Sequence, residues 1–377
     1  MKFRVERDVL AEAVTWAARG LPTRPPVPVL AGVLLQANDD GTLVLSAFDY
    51  EVSAQVTVAA DVSDAGTVLV SGRLLADISR NLPAHPVDVV TQDSKVSVTC
   101  GSSRFTLLTM PVDDYPALPA MPESSGTVAG DVFTLAVGQV TTAAGRDDTL
   151  PILTGVRVEI DGSRITLLAT DRYRLAMRTL EWSPEGTDAS AVALVPARTL
   201  ADTARALGSG ASVDLALGRT GQGDGLIGFQ AGSRRTTSRL LDGEYPKVSA
   251  IFPTTSDVTA VIETSALVEA VKRVSLVAER NTPVRLRFSP GAVVIEAGQG
   301  DDAQASEQLD ALLEGDELEI AFNPQYLLDG LGALHQQWAR FAFTQPTKPA
   351  LLTGQGEPDA SPDDSFQYVL MPVRLAG

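Results

Sequence analysis

A threefold internal repeat constrains this chain more than any other feature of its sequence. Cores stop growing well before 377 residues, so a chain of this length divides into several domains, and the repeat sets the number at three. Each third carries a helical pattern opened by a capping residue: Asp8-Val9-Leu10 with Ala13-Val14, Asp131-Val132-Phe133 with Ala136-Val137, and Ser265-Ala266-Leu267 with Ala270-Val271. The spacing from cap to apolar residues is the same in all of them. Strand patterns follow from Pro28, Pro151 and Thr282, folded about Asp40-Gly41, Asp161-Gly162 and Pro290-Gly291, the residue types that turn hairpins. A second, leucine-rich helix starts near Val70, Val195 and Phe322, with Asp77, Asp202 and Asp329 at one common offset. Closing strands end each unit, and Met110-Pro111-Val112 recurs as Met371-Pro372-Val373.

Between the thirds lie the Pro-rich connectors YPALPAMPESS and YPKVSAIFPTT, which divide the chain into domains 1–122, 123–253 and 254–377. The expected class is α+β, with helices on one face of each domain and antiparallel sheet on the other. A domain of this length has a radius of gyration of roughly 14 Å and a diameter of roughly 35 Å. Three such units make an arc. Two arcs joined head to tail close a ring whose opening, again roughly 35 Å, is wide enough for a nucleic-acid duplex. Closure pairs an edge strand of the first domain with the third domain of a second copy, and Arg104 to Leu108 against the region of Leu276 is the expected contact.

The formal net charge of −17 argues against a protein that grips nucleic acid by attraction, because phosphate neutralisation needs clustered Lys and Arg. A ring escapes that objection, since only its lumen need be basic. No apolar run approaches the roughly 20 residues that span a bilayer, and the opening MKFRVERDVL lacks the apolar stretch of a secretory signal. One cysteine, Cys100, lies in the alternating run KVSVTC, which reads as a small buried strand residue in a protein of the reducing cytoplasm.

The central third holds Leu153 and the run Ala169-Thr170-Asp171-Arg172-Tyr173-Arg174-Leu175, and the chain ends Tyr368-Val369-Leu370-Met371-Pro372-Val373-Arg374-Leu375. With the repeat, these segments resemble the bacterial DNA polymerase III β subunit, the β sliding clamp family, over essentially the whole chain. That resemblance implies a protein without enzymatic activity, cofactor or metal: a homodimer encircling double-stranded DNA without reading its sequence. It further implies docking of the replicative polymerase, the ATP-driven clamp loader and other partners through short linear peptides bearing glutamine, leucine and phenylalanine. The docking pocket is expected between the second and third domains. From the central third the resemblance assigns to it Leu153, Thr170, Arg172, Tyr173, Arg174 and Leu175, and from the second connector Pro246 and Ile251. From the final third come Asn323 and Tyr326, then Val369, Met371, Pro372, Val373, Arg374 and Leu375. Arg174 and Asn323 are expected to orient polar atoms of the peptide. Arg172 stands where many relatives have glycine, Asn281 where some have an aromatic residue, and Ala250 where some have arginine. For DNA, Arg24 in the loop Leu21–Pro26 and Arg73 match contacting positions of the family, and Arg80, Arg198 and Arg205 add phosphate contacts at helical spacing.

Other motifs weigh less. Gly223 to Gly228 satisfies G-x-G-x-x-G, but FQAGSRRTTSRL follows with a strand pattern, so a hairpin and not a dinucleotide site is expected. His85 and His335 lack metal-ligand neighbours, and Glu357 to Asp364 reads as a hairpin loop. Two alternatives remain open: a repeat-built enzyme such as an enolpyruvyl transferase, and a clamp paralogue kept for drug resistance or repair.

Overall fold

The computed structural model describes all residues except 187–188, 209–211, 218–224, 254, 279–281, 299–302 and 375–377. Two helices stand in each third: α1 (Arg7–Ala17) and α2 (Gly72–Asn81), α3 (Gly130–Thr141) and α4 (Ala197–Leu207), α5 (Thr264–Val274) and α6 (Pro324–Leu334). The second helix of each third starts where the sequence predicts. The first does not open on a side-chain cap at Asp8 or Ser265: short strands, Lys2–Val5 and Val258–Glu263, run straight into α1 and α5, so Glu6 and Glu263 occupy the capping positions without a side-chain cap bond. Four-residue strands such as Lys2–Val5 are too short to show a period, which is why the sequence hides them. The hairpins begin later than expected as well. Pro28–Ala31 and Pro151–Thr154 form single 3₁₀ turns, and the strands start at Gly32 and Gly155. Proline fixes φ in the helical range, which favours the turn over extended chain.

The chain divides into two compact units, Met1–Phe133 with Trp182–Ala189 and Asp202–Leu240, and Thr134–Glu181 with Ser190–Ala201 and Leu241–Gly377. The units follow the sheets and not the repeats, because strand pairing continues from one third into the next. In the first unit the closing strand of the central third, Arg234–Arg239, pairs antiparallel with Val52–Ala59, the fourth strand of the first third. In the second unit the closing strand of the final third, Asp363–Leu370, pairs in the same way with Arg174–Glu181, the fourth strand of the central third. The acidic loop is therefore shorter than expected, since Asp363 and Asp364 already belong to that strand.

Within the first unit, α1 and α2 pack together, with Leu10, Val14, Leu75 and Ile78 buried over a sheet of 14 strands. Cys100 is buried in its strand, and Ser212–Leu217 pairs antiparallel with Leu226–Ala231, in keeping with the hairpin expected at the glycine-rich run, of which residues 223 and 224 lie outside the described residues. The second unit holds a sheet of 12 strands under α5 and α6, with the rings of Phe288, Phe341 and Phe343 in mutual contact. Gly330 lets α6 lie close to the sheet: a Cβ there would stand 2.5 Å from the ring of buried Tyr368. Among the described residues no helix is long and apolar enough to cross a membrane.

Repetition extends to single hydrogen bonds. In the first third Asp49 Oδ1 accepts from the N–H groups of Glu51 and Val52, and in the central third Asp171 Oδ1 accepts from those of Tyr173 and Arg174. Both turns place the next residue in the left-handed region, Tyr50 at φ 76° and Arg172 at φ 81°.

Candidate functional site

Two adjoining clefts open in the second unit, of about 550 and 500 Å³, and they share Leu150, Leu153 and Arg172. The smaller is apolar. Leu153, Leu175, Pro246, Val248, Ile251 and Met371 line it, with Thr170 and Glu244 at its margin. Its walls are held by main-chain bonds: Gly145 N–H donates to Leu153 O at 2.7 Å, and Met371 N–H donates to Tyr173 O at 2.9 Å. Beneath lies a cluster of Leu168, Leu175, Leu194, Tyr245, Val248 and Val369. Burial pushes the Tyr245 phenol far above its usual range, so this floor stays uncharged.

The larger cleft is polar and is built around Arg174. That guanidinium, 5% exposed, donates from Nε to Asp171 Oδ2 at 2.9 Å, pairs through Nη1 with Asp329, and lies 4.4 Å from the ring centre of Tyr326. Nη1 also reaches the Tyr368 hydroxyl at 3.4 Å, and that hydroxyl donates to Tyr326 O at 3.0 Å. Burial by itself would weaken the charge on Arg174. Tyr368, Asp329 and Asp171 outweigh it and raise the pKa, so the group remains a cation. Tyr173, half exposed, stacks on Tyr326 at 6.2 Å.

Of the residues the sequence assigns to the pocket, Leu153, Thr170, Arg172, Leu175, Pro246, Ile251 and Met371 line the apolar cleft, while Tyr173, Arg174 and Tyr326 line the polar one. Others take different places. Val369 is fully buried in the floor. Asn323 caps α6, its side-chain oxygen accepting from the N–H groups of Gln325 and Tyr326, so that oxygen is occupied within the fold. Pro372 is half-buried, Val373 and Arg374 are exposed beyond the clefts, and Leu375 lies outside the described residues, as does Asn281. Sequence reasoning missed Leu150 and Ile152, although they adjoin Leu153 in an apolar run. It also missed Arg146 and Gln325, which nothing local distinguishes, and Asp329, which the repeat marks only by its common offset with Asp77 and Asp202.

Asp329 shows how the repeat was modified. At the matching positions Asp77 pairs with Arg80 and Asp202 with Arg205, each on its own helix at 2.5 Å. The final third has Gly332 where those arginines stand, and Asp329 pairs instead with Arg174 of the central third.

The arginines assigned to DNA are exposed. Arg73 Nη2 donates to the carbonyls of Pro22 and Thr23 at 3.2 and 3.1 Å, so it holds the loop that carries Arg24 against α2. Arg73, Asp77 and Arg80 share one face of α2, and Arg198, Asp202 and Arg205 repeat that arrangement on α4.

At φ 81°, Arg172 occupies a conformation that glycine adopts freely. Arg172→Gly is expected to stabilise the protein by about 1 kcal/mol, read from urea unfolding. Unchanged stability would mean that the arginine side chain compensates for its backbone.

Models of the DNA polymerase III beta subunit match the chain in order: the N-terminal domain over residues 1–119, the central domain over 127–247 and the C-terminal domain over 249–374. The beta sliding clamp of Streptomyces coelicolor is 63% identical over 377 residues, covering all of both chains. Among solved structures, the DNA polymerase sliding clamp of Bacillus subtilis superposes with a TM-score of 0.92 at 27% identity over the whole of both chains. The sliding clamp of Pseudomonas aeruginosa bound to griselimycin does so with a TM-score of 0.92 at 29% identity, again with full coverage of both. With every domain model matched in sequence order and a full-length relative this similar, the chain belongs to the DNA polymerase III β subunit family, the bacterial β sliding clamps.

Proposed function

We propose that this protein is a DNA sliding clamp: a homodimeric ring that encircles duplex DNA, confers processivity on the replicative polymerase, and acts without chemistry of its own. Its domains are 1–122, 123–253 and 254–377. The observation that carries the ring is the pattern of strand exchange. Twice within the chain, the closing strand of one third pairs with the fourth strand of the third before it. That rule leaves over the closing strand of the first third, Ser103–Met110, and the fourth strand of the final third, Ala305–Glu314. Among the described residues, each has one long edge without a partner strand. Pairing these two between copies satisfies the rule at every junction and is head to tail by construction. Leu108 on the first strand is 70% exposed, and Leu276, just after the helix that packs on the second, is 84% exposed. Such side chains are out of place on a free surface and suit an interface core.

Leu108→Asp is expected to convert the dimer to a monomer at micromolar concentration, read by light scattering after size exclusion. A dimer that survives with the same dissociation constant would place the interface elsewhere. On DNA, Arg24, Arg73, Arg80, Arg198 and Arg205 make phosphate contacts that position the ring without base readout. Their neutralisation is expected to flatten the salt dependence of binding. The decisive assay is topological: protein loaded on a circular duplex stays bound and is lost when the circle is cut.

The paired clefts of the second unit receive the short linear peptides of polymerase, clamp loader and other partners. The apolar cleft supplies contact area, and the polar cleft beside it supplies orientation. The work is done in the cytoplasm, where the chromosome is replicated.

A further inference from the structure

We propose that Arg146 and Arg172 form a charge-reading rim that selects docking peptides carrying an acidic side chain next to their apolar anchors. This rests on the clefts of the second unit being the peptide site. Three arginines line the polar cleft, and they are not equivalent. Arg174 is buried and already engaged by Asp171 and Asp329, so a peptide gains nothing from its charge. Neither Arg146 nor Arg172 has a carboxylate within ion-pair distance among the described residues. Arg172 lines both clefts, with its guanidinium 5.9 Å from the ring centre of exposed Tyr173. The nearby acid, Asp147, spends one oxygen on the backbone N–H and hydroxyl of Thr149, at 2.9 and 2.6 Å.

A peptide whose apolar residues fill the neutral cleft must pass Arg172 to continue into the polar one. A carboxylate there meets two arginines, and a guanidinium offers it a paired, charge-assisted hydrogen bond. Glu244 also lines the apolar cleft, and an acid beside it would be repelled. Specificity is thus added to a shared pocket without altering its apolar walls.

The test uses the full-length protein and two fluorescein-labelled peptides that share glutamine, leucine and phenylalanine anchors. One has aspartate at each remaining position and the other asparagine, and binding is read by anisotropy at low salt. Wild type is expected to prefer the aspartate peptide about tenfold, with the preference shrinking as salt rises. Arg172→Gly should remove most of that preference and Arg146→Ala part of it, the preference being read within each protein as the ratio of its affinities for the two peptides. Equal affinity of wild type for both peptides overturns the charge-reading rim and leaves the pocket standing. If neither peptide binds, or if Met371→Asp leaves both affinities unchanged, the pocket reading itself fails and the rim with it.

Discussion

Met371→Asp is expected to weaken capture of a labelled anchor peptide by at least about 100-fold, or about 2.7 kcal/mol, while the protein remains a dimer. Met371 contributes its side chain to the apolar cleft, but its backbone N–H is bonded to Tyr173 O, and that bond survives the substitution. A carboxylate placed there must be desolvated whenever a leucine or phenylalanine enters, and that cost outweighs any attraction to Arg172, the cation that also lines the cleft. Met371→Leu keeps the volume and the polarity and should bind within a few fold of wild type. Anisotropy measures the affinity, and light scattering shows that the assembly is intact. Wild-type binding by the aspartate variant would move the docking site away from this cleft.

The second large effect concerns stability, and the repeat supplies its control. Asp329→Ala leaves Arg174, 5% exposed, with Asp171 as its one remaining carboxylate, and removing a partner from a buried pair costs about 3 kcal/mol. Asp202→Ala removes the same residue from the matching position of α4. There both partners of the Asp202–Arg205 pair are more than half exposed, and an exposed pair contributes at most about 0.5 kcal/mol. Urea unfolding of the two variants should therefore separate sharply, with the loss in Asp329→Ala accompanied by weaker peptide capture. Equal, small losses would show that Arg174 is held by Asp171 and the Tyr326 ring without help from Asp329.

Much of the docking site was legible because it is nearly contiguous in sequence. Thr170 to Leu175 is one turn, whose form follows from an aspartate accepting from the N–H groups two and three residues on, and the same chemistry can be read at Asp49. Val369 lies in the last strand and Met371 just past its end, and which of the two faces the cleft and which the floor is settled only by the sheet they adjoin. Arg146 was not legible, because it belongs to a loop without periodicity whose place in the cleft depends on the turn at Pro151–Thr154. The expectation that Asn323 meets the peptide overlooked a local rule: asparagine before proline and a leucine-rich run is a helix cap, and its oxygen serves the first turn of α6.

Resemblance to the β sliding clamp family supplied most of the apolar lining, while the sequence by itself determined the number of repeats and the two helices and hairpins of each. These follow from spacing, period and turn chemistry, all of which act over a few residues. Tertiary structure decided that sheets run across the thirds, that Ser103–Met110 and Ala305–Glu314 each keep a long edge without a partner strand among the described residues, and that Asp329 leaves the pattern of its own helix for Arg174, 155 positions away. Such pairings arise only when strand registers bring distant side chains together in a space closed to water, and local sequence carries no record of that distance.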